Sequence, residues 1–267
     1  MNKFSLKNKN IVITGGAGFL GEQHVLAVVE RGGIPIIFDN NNLNILRLKK
    51  KLSDRKIKGY FFKGSVASEK DLLRFKKFLQ KKKLYPNVLI NNAALNPKLI
   101  KINSSNLLEK YSIKDWNKEI EIGLTGAFLT SKIIGGVMSK KLVGGVIINI
   151  SSDLGLIAPD NRIYNHSKKQ INVKPVSYSV IKHGIIGLTK YLATYWADKN
   201  IRTNCLCPGG VYESQDKAFV KRISKLIPLK RMARVDEYKG AIQFLCSDAS
   251  SYMNGSNLII DGGRTIW

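Results

Sequence analysis

The sequence predicts an α/β fold in a single domain: a doubly wound parallel sheet with helices on both faces. Three observations predict it. Short apolar, β-rich runs alternate with helix-length amphipathic segments, the pattern of a parallel sheet covered on both sides. The links between them are short, with no internal repeat and no low-complexity boundary, and 267 residues suit one such domain. The first apolar run passes through a glycine turn directly into a helix.

The elements follow in chain order. Strands are expected at residues 11–14, 34–39, 59–63, 88–91, 145–151, 201–207 and 257–261. Helices are expected between them at 18–31, 41–53, 68–83, 112–140, 176–199, 214–226 and 236–247. The fifth helix shows its stripe most clearly: Ile181, Ile185, Leu188, Leu192 and Tyr195 recur at alternating spacings of four and three. Two stretches break the rhythm, 94–111 and 152–175. Both follow the carboxyl ends of strands, where ligands bind in an open α/β sheet.

Composition sets the outer limits. A chain with 44% hydrophobic and 24% charged residues has enough apolar material for a core. The polar, basic start is not expected to be a signal peptide, and no apolar run approaches a membrane span, so a cytoplasmic protein without a membrane partner is expected. Cys205, Cys207 and Cys246 form no CxxC pair and are expected as reduced core residues, with no metal site. The net charge of +25 comes from 44 basic residues, of which 10 are arginine. Lysine is the poorer reader of bases, and the lysines are spread along the chain. Compositional bias and solvated helix faces therefore come first as an explanation. Attraction of anionic substrates follows, and nucleic acid comes last.

The segment IVITGGAGFLGEQH carries the first chemistry. Gly15, Gly18 and Gly21 give GxxGxxG between strand and helix. The first glycine permits the tight turn, the second lets backbone approach a pyrophosphate, and the third allows helix and strand to pack closely. Asp39 ends the next strand, where a carboxylate accepts the ribose hydroxyls of adenosine and repels a 2′-phosphate. NAD is therefore expected ahead of NADP.

The second chemistry lies in a pattern that occurs twice, Tyr-x-x-x-Lys, at Tyr164/Lys168 and at Tyr178/Lys182. Tyr178 and Lys182 fall one turn apart on the striped helix. Tyr164 is followed by Asn165, Asn172, Val173 and Pro175 without a stripe, which reads as a loop. Tyr178 is thus the expected catalytic tyrosine and Tyr164 a coincidental copy. The strand GGVIINISSDLG ends in serines just upstream. A serine there, with tyrosine and lysine on a facing helix, makes a proton-transfer set in which the lysine charge lowers the tyrosine pKa.

Taken together, TGGAGFLG, Asp39, NNAA, DW, NISS, YSVIK, IRTN, PGG, IPLKRMA and FLCSDASSYMNGSNLIIDGG resemble the short-chain dehydrogenase/reductase family over essentially the whole chain. The resemblance implies a Rossmann-type fold and hydride transfer between an alcohol or ketone and a nicotinamide cofactor. It selects Tyr178, 23 residues before Ile201, and makes Ser152, the head of an S-x-x-G turn, the catalytic serine. It implies that Ser152 orients the substrate oxygen, Tyr178 moves the proton, and Lys182 tunes the tyrosine and holds the nicotinamide ribose. The cofactor is expected against Gly15, Gly18, Phe19, Leu20, Asp39, Ser65, Val66, Asn91, Ala93, Tyr178, Lys182, Pro208, Gly209 and Val211.

Four departures stand out. The glycine spacing resembles another branch of the family. Ser65 replaces the usual acid before Val66. Gly123 stands where the family has an asparagine that relays protons to the lysine. Glu213 replaces the threonine that holds the nicotinamide amide.

Ser152 and Tyr178 are 26 residues apart, against about a dozen in the family, so residues 156–175 hold an insertion beside the substrate cleft. It carries Arg162, His166, Lys168, Lys169 and Lys174, and Lys98 and Lys101 follow the neighbouring strand. Arg162, His166 and Lys168 are the expected substrate residues, for an anionic sugar derivative such as a sugar phosphate or nucleotide sugar. The string from Ser151 to Trp196 also resembles a subgroup associated with flagellin modification and surface-polysaccharide sugars. Family members pair through the helices at 112–140 and 176–199, which implies a homodimer or homotetramer. Two other readings stay open: an enzyme for another small alcohol or a lipid, and a non-catalytic dinucleotide sensor.

Overall fold

The computed structural model describes residues 2–95, 106–140, 144–164 and 172–267. Seven strands form one parallel sheet: β1 Asn10–Thr14, β2 Ile34–Asp39, β3 Tyr60–Lys63, β4 Pro86–Asn91, β5 Gly145–Ile150, β6 Ile201–Pro208 and β7 Asn257–Ile260. Their order is β3-β2-β1-β4-β5-β6-β7. The chain builds outward from β1 to β3, then returns to lay β4 on the other side of β1. That reversal opens a crevice at the carboxyl ends of β1 and β4. The expected α/β doubly wound sheet is therefore the observed fold.

The period of two decides which side chains meet which helices. In β1, Ile11 and Ile13 face one layer and Val12 the other. The first layer holds α1 (Phe19–Val29), α2 (Asn42–Asp54) and α7 (Lys239–Cys246), with Val25, Leu48 and Leu245 in its core. The second holds α3 (Glu69–Lys81), α4 (Ile113–Met138) and α5 (Val176–Tyr195), with Phe75, Ile134 and Leu192 in its core. Between β6 and α7, α6 (Lys217–Lys225) stands over the carboxyl edge.

Helix α4 contains two π-helical turns, Glu121–Thr125 and Ser131–Gly135. Among the described residues it is the helix whose length and composition would span a bilayer. Here it lies on the sheet, with Ile133 and Ile134 buried. The insertion is not simply a solvated loop: Asn161–Tyr164 forms a 3₁₀ turn, and Ile163 and Tyr164 pack with Ile223, Ile227 and Met232.

Candidate active site

The glycine turn takes the shape its spacing predicts. Gly15 has φ +60°, which glycine adopts without the strain a side chain would bring. A Cβ on Gly21 would collide with the Gly15 carbonyl oxygen, so α1 lies as close to the turn as a glycine allows. Asn92 braces this turn: its Nδ2 donates to the carbonyls of Thr14 at 3.0 Å and Gly15 at 3.1 Å. Asp39 is buried at the end of β2, where Oδ2 accepts from Ala17 N at 3.0 Å and Oδ1 from Asn41 N at 2.9 Å.

The end that holds the expected catalytic residues is built on the carboxyl ends of β5 and β6 and on α5. Ser151 Oγ donates to the Lys182 carbonyl at 2.7 Å, and Lys182 Nζ donates to the Ile150 carbonyl at 2.9 Å. These two bonds lock α5 to the end of β5. Gly155 is required by the same approach, because a Cβ there would strike Ser151 Oγ and the Lys182 backbone. Ser152 Oγ donates to Asp153 Oδ1 at 2.6 Å. Asp153 in turn pairs with Arg264 through a buried Oδ2–Nη1 contact of 2.7 Å. Burial pushes Tyr178 up to about 12, while a hydrogen bond with Ser152 pulls against it. Burial pushes Lys182 down to about 8.

One cavity of about 1010 Å³ joins these parts. Its walls include Gly15, Gly18, Phe19, Leu20, Asp39, Ser65, Val66 and Ala93 at one end. Ser152, Tyr178, Lys182, Pro208, Gly209 and Val211 line it toward the other. A cradle of backbone without side chains, a buried carboxylate and a long cleft are what a dinucleotide needs, and these residues fit one.

Three expectations change. Asn91 does not line the cavity; its Nδ2 donates to Asn149 Oδ1 at 2.8 Å and Ser131 Oγ at 2.9 Å, within the layer beneath. Successive side chains at a strand end point to opposite faces, so Asn92 takes the cavity side. Arg162 turns into its own loop, with an 89% exposed side chain forked onto both oxygens of Asp160. Tyr164 is no bystander: it is buried in the cavity wall and stacks on Phe219 with centroids 5.6 Å apart. His166 and Lys168 lie outside the described residues, as do Lys98, Lys101 and Lys169.

Sequence reasoning did not place Asn92, Asp153 or Arg264 at the site, and it put Lys174 in the basic insertion beside the cleft without naming it a substrate residue. Asp153 lies inside the S-x-x-G turn, so its position was a signal. Nothing local marks Arg264. The missing asparagine has a structural counterpart: a Cβ on Gly123 would meet Ile181 Cγ2 at 2.9 Å, so Ile181 fills that space. Gly123 lies within the π turn at Glu121–Thr125.

A sequence profile described as enoyl-(acyl carrier protein) reductase matches residues 19–265. An uncharacterized short-chain type dehydrogenase/reductase of Sinorhizobium fredii is 29% identical over 95% of this chain, which spans 43% of that protein. An NAD-dependent glycerol dehydrogenase of Listeria innocua is 30% identical, with 98% of this chain and 96% of the other covered. Among solved structures, a gluconate 5-dehydrogenase from Burkholderia cenocepacia, in complex with NADP and tartrate, superposes with a TM-score of 0.86 at 25% identity. That superposition covers 100% of this chain and 98% of the other. The chain belongs to the short-chain dehydrogenase/reductase family and is an oxidoreductase.

Proposed function

We infer that the protein is an NAD-dependent oxidoreductase that interconverts an alcohol and a ketone on a small anionic sugar derivative. The observation that carries this reading is the convergence of Ser152, Tyr178 and Lys182 on one wall of a cavity whose far end holds the glycine turn and Asp39. A nicotinamide bound there supplies the hydride acceptor or donor. Tyr178 exchanges the proton with the substrate oxygen. The cavity's burial holds its phenol protonated at neutral pH, so a ketone meets a ready proton donor. In the alcohol direction the phenol must first lose its proton, which the Ser152 hydrogen bond and the Arg264 charge favour. Ser152 holds the substrate oxygen, and Asp153 fixes the serine rotor.

The cofactor preference rests on Asp39. Its neighbours in the wall, Asn40, Asn41 and Asn44, carry no charge, and the cations of that wall are Lys174, Lys182 and Arg264, toward the other end. Among the residues that line this end of the cavity, a 2′-phosphate would meet the Asp39 carboxylate and no cation. The anionic sugar reading is supported by those same cations and by the Tyr164–Phe219 stack, a surface suited to the C–H face of a sugar. Sugar phosphates, nucleotide sugars and sugar acids all fall in this class, and supply of flagellin or surface-polysaccharide sugars belongs to the same reading. Exposed Ile113 and Phe128 on α4, with Val180, Tyr191 and Tyr195 on α5, support pairing into a homodimer or homotetramer.

The test follows NADH absorbance over a panel of sugar phosphates, nucleotide sugars, sugar acids and neutral polyols, with NADP as control. Tyr178→Phe is expected to lower turnover about 10²- to 10⁴-fold while NAD still binds. Equal turnover in that variant would refute the catalytic assignment.

A further inference from the structure

The 3₁₀ turn Asn161–Tyr164 sends its side chains to different places, and one of those places is the cavity. Arg162 stands outside, on Asp160. Ile163 is buried against Ile223, Ile227 and Met232. Its carbonyl accepts from Arg222 Nε at 2.7 Å, which pins the turn to α6. Tyr164 takes the cavity side, stacked on Phe219 of α6. Asn161 Oδ1 accepts from the backbone N–H of residue 174 at 3.2 Å, so the insertion closes where it opened. The Tyr164 ring is therefore held both by the packing of its neighbour and by its own stack.

The ring's hydroxyl is the part that the packing does not use. It makes no hydrogen bond among the described residues, although the residue is only 8% exposed. The oxygen is not sealed off, so it opens on the cavity that the ring lines. Burial pushes the phenol above its usual range, so it stays protonated at any working pH. The charges that act on it are Arg264, which favours ionisation, and Tyr178, Asp153 and Asp160, which oppose it. It thus stands at the end of the cavity that holds Tyr178 and the Asp153–Arg264 pair. A neutral phenol donates one hydrogen bond and accepts others, and a ligand that covers it without answering loses affinity.

We propose that Tyr164 is a specificity-determining residue: its hydroxyl exchanges a hydrogen bond with a second hydroxyl of the substrate, so the enzyme takes polyhydroxy substrates in preference to alcohols with a single hydroxyl. This rests on the reading above and names the residue that recognises the rest of the substrate. The reacting oxygen is not the partner, because Ser152 and Tyr178 serve that oxygen. A carboxylate or phosphate is not the partner either. An uncharged phenol near Asp153 and Asp160 holds an anion less well than a cation does. A hydroxyl matches the phenol in both directions, as donor and as acceptor. The charge of Tyr178 reaches Tyr164, so the two phenols flank one short stretch of the ligand.

Ribitol and 3-pentanol share a carbon chain, as do D-gluconate and 3-hydroxyhexanoate, and within each pair one member carries a single hydroxyl. Oxidation of all of them by the full chain with NAD is followed as NADH absorbance, and NADH binding is measured by calorimetry. In at least one pair the polyhydroxy member is expected to have the higher kcat/KM, by about tenfold or more. Tyr164→Phe keeps the ring and its stack and removes the hydroxyl. It should raise KM for that polyhydroxy substrate about tenfold and shrink its advantage over the partner by the same factor. NADH affinity should stay within about twofold and Tm should not move. A purely structural role would weaken both members of the pair alike. That shared loss, an unchanged KM in Tyr164→Phe, or a preference for the single hydroxyl in both pairs would overturn the proposal. So would no turnover of ribitol and gluconate by a chain that binds NADH. Failure of NADH to bind, or full turnover in Tyr178→Phe, would instead defeat the reading beneath it.

Discussion

His24 shows at the scale of one residue how burial sets a property of the fold. It lies on α1, 1% exposed, and Asn92 is too far out of line for a full hydrogen bond to either ring nitrogen, so its pull on the pKa only partly opposes burial. Burial pushes its pKa from 6.5 down to about 4. The unfolded chain therefore takes up a proton near pH 6.5 that the folded chain refuses until about pH 4. Stability should fall as pH drops through that window, by roughly 3 kcal/mol at 1.36 kcal/mol per pKa unit. Denaturant unfolding across the window should show this slope in the wild type and a flatter one in His24→Leu. An equal slope in both would assign the acid loss to other groups. The same scale separates what was legible from what was not. Asp39 was readable because its place at a strand end follows from spacing. Arg162 misled, because composition does not say that its guanidinium closes on Asp160 two residues away.

At the scale of elements, α4 and α5 meet where Gly123 faces Ile181. The stripe of α5 was legible from its apolar spacing, and the length of α4 was legible too. The π turns were not, since no periodicity marks them. Restoring the family's asparagine at this point should harm rather than help. Gly123→Asn pushes a side chain into Ile181, the residue before Lys182, and overpacking of this kind costs about 1–3 kcal/mol. Turnover should fall with stability. Adding Ile181→Ala makes room, and the double variant should recover part of the loss in thermal unfolding. A Gly123→Asn protein as stable and active as the wild type would show that the two helices part easily.

At the scale of the whole molecule, the C-terminal turn closes onto the turn that follows β5. Arg264 and Asp153 are 111 residues apart and form a buried ion pair. Asp153 also holds the Ser152 hydroxyl, so the end of the chain positions the middle of the site. Removing one partner leaves a buried charge alone. Arg264→Met should cost about 3–5 kcal/mol, and kcat should drop as the Ser152 rotor is freed. Asp153→Asn combined with Arg264→Met removes both charges, and the double variant should recover most of the stability but not the activity. If Arg264→Met alone left the denaturation midpoint unchanged, the pair would be a contact without energetic weight.

The sequence by itself determined the α/β class, the seven strands and seven helices, the glycine turn, Asp39, and the choice of Tyr178 over Tyr164 as the residue with helical context. Each of these is written in local spacing: a period of two or 3.6, a glycine where φ turns positive, an apolar stripe along one helix. Only the tertiary structure decided that Asn92 rather than Asn91 faces the cavity, and that Tyr164 stands in its wall. It also decided that Lys174 lies on the tyrosine ring and that Arg264 reaches Asp153. Those facts depend on side-chain direction and on contacts between distant parts of the chain. Burial and charge are properties of a place in space, and sequence order records neither.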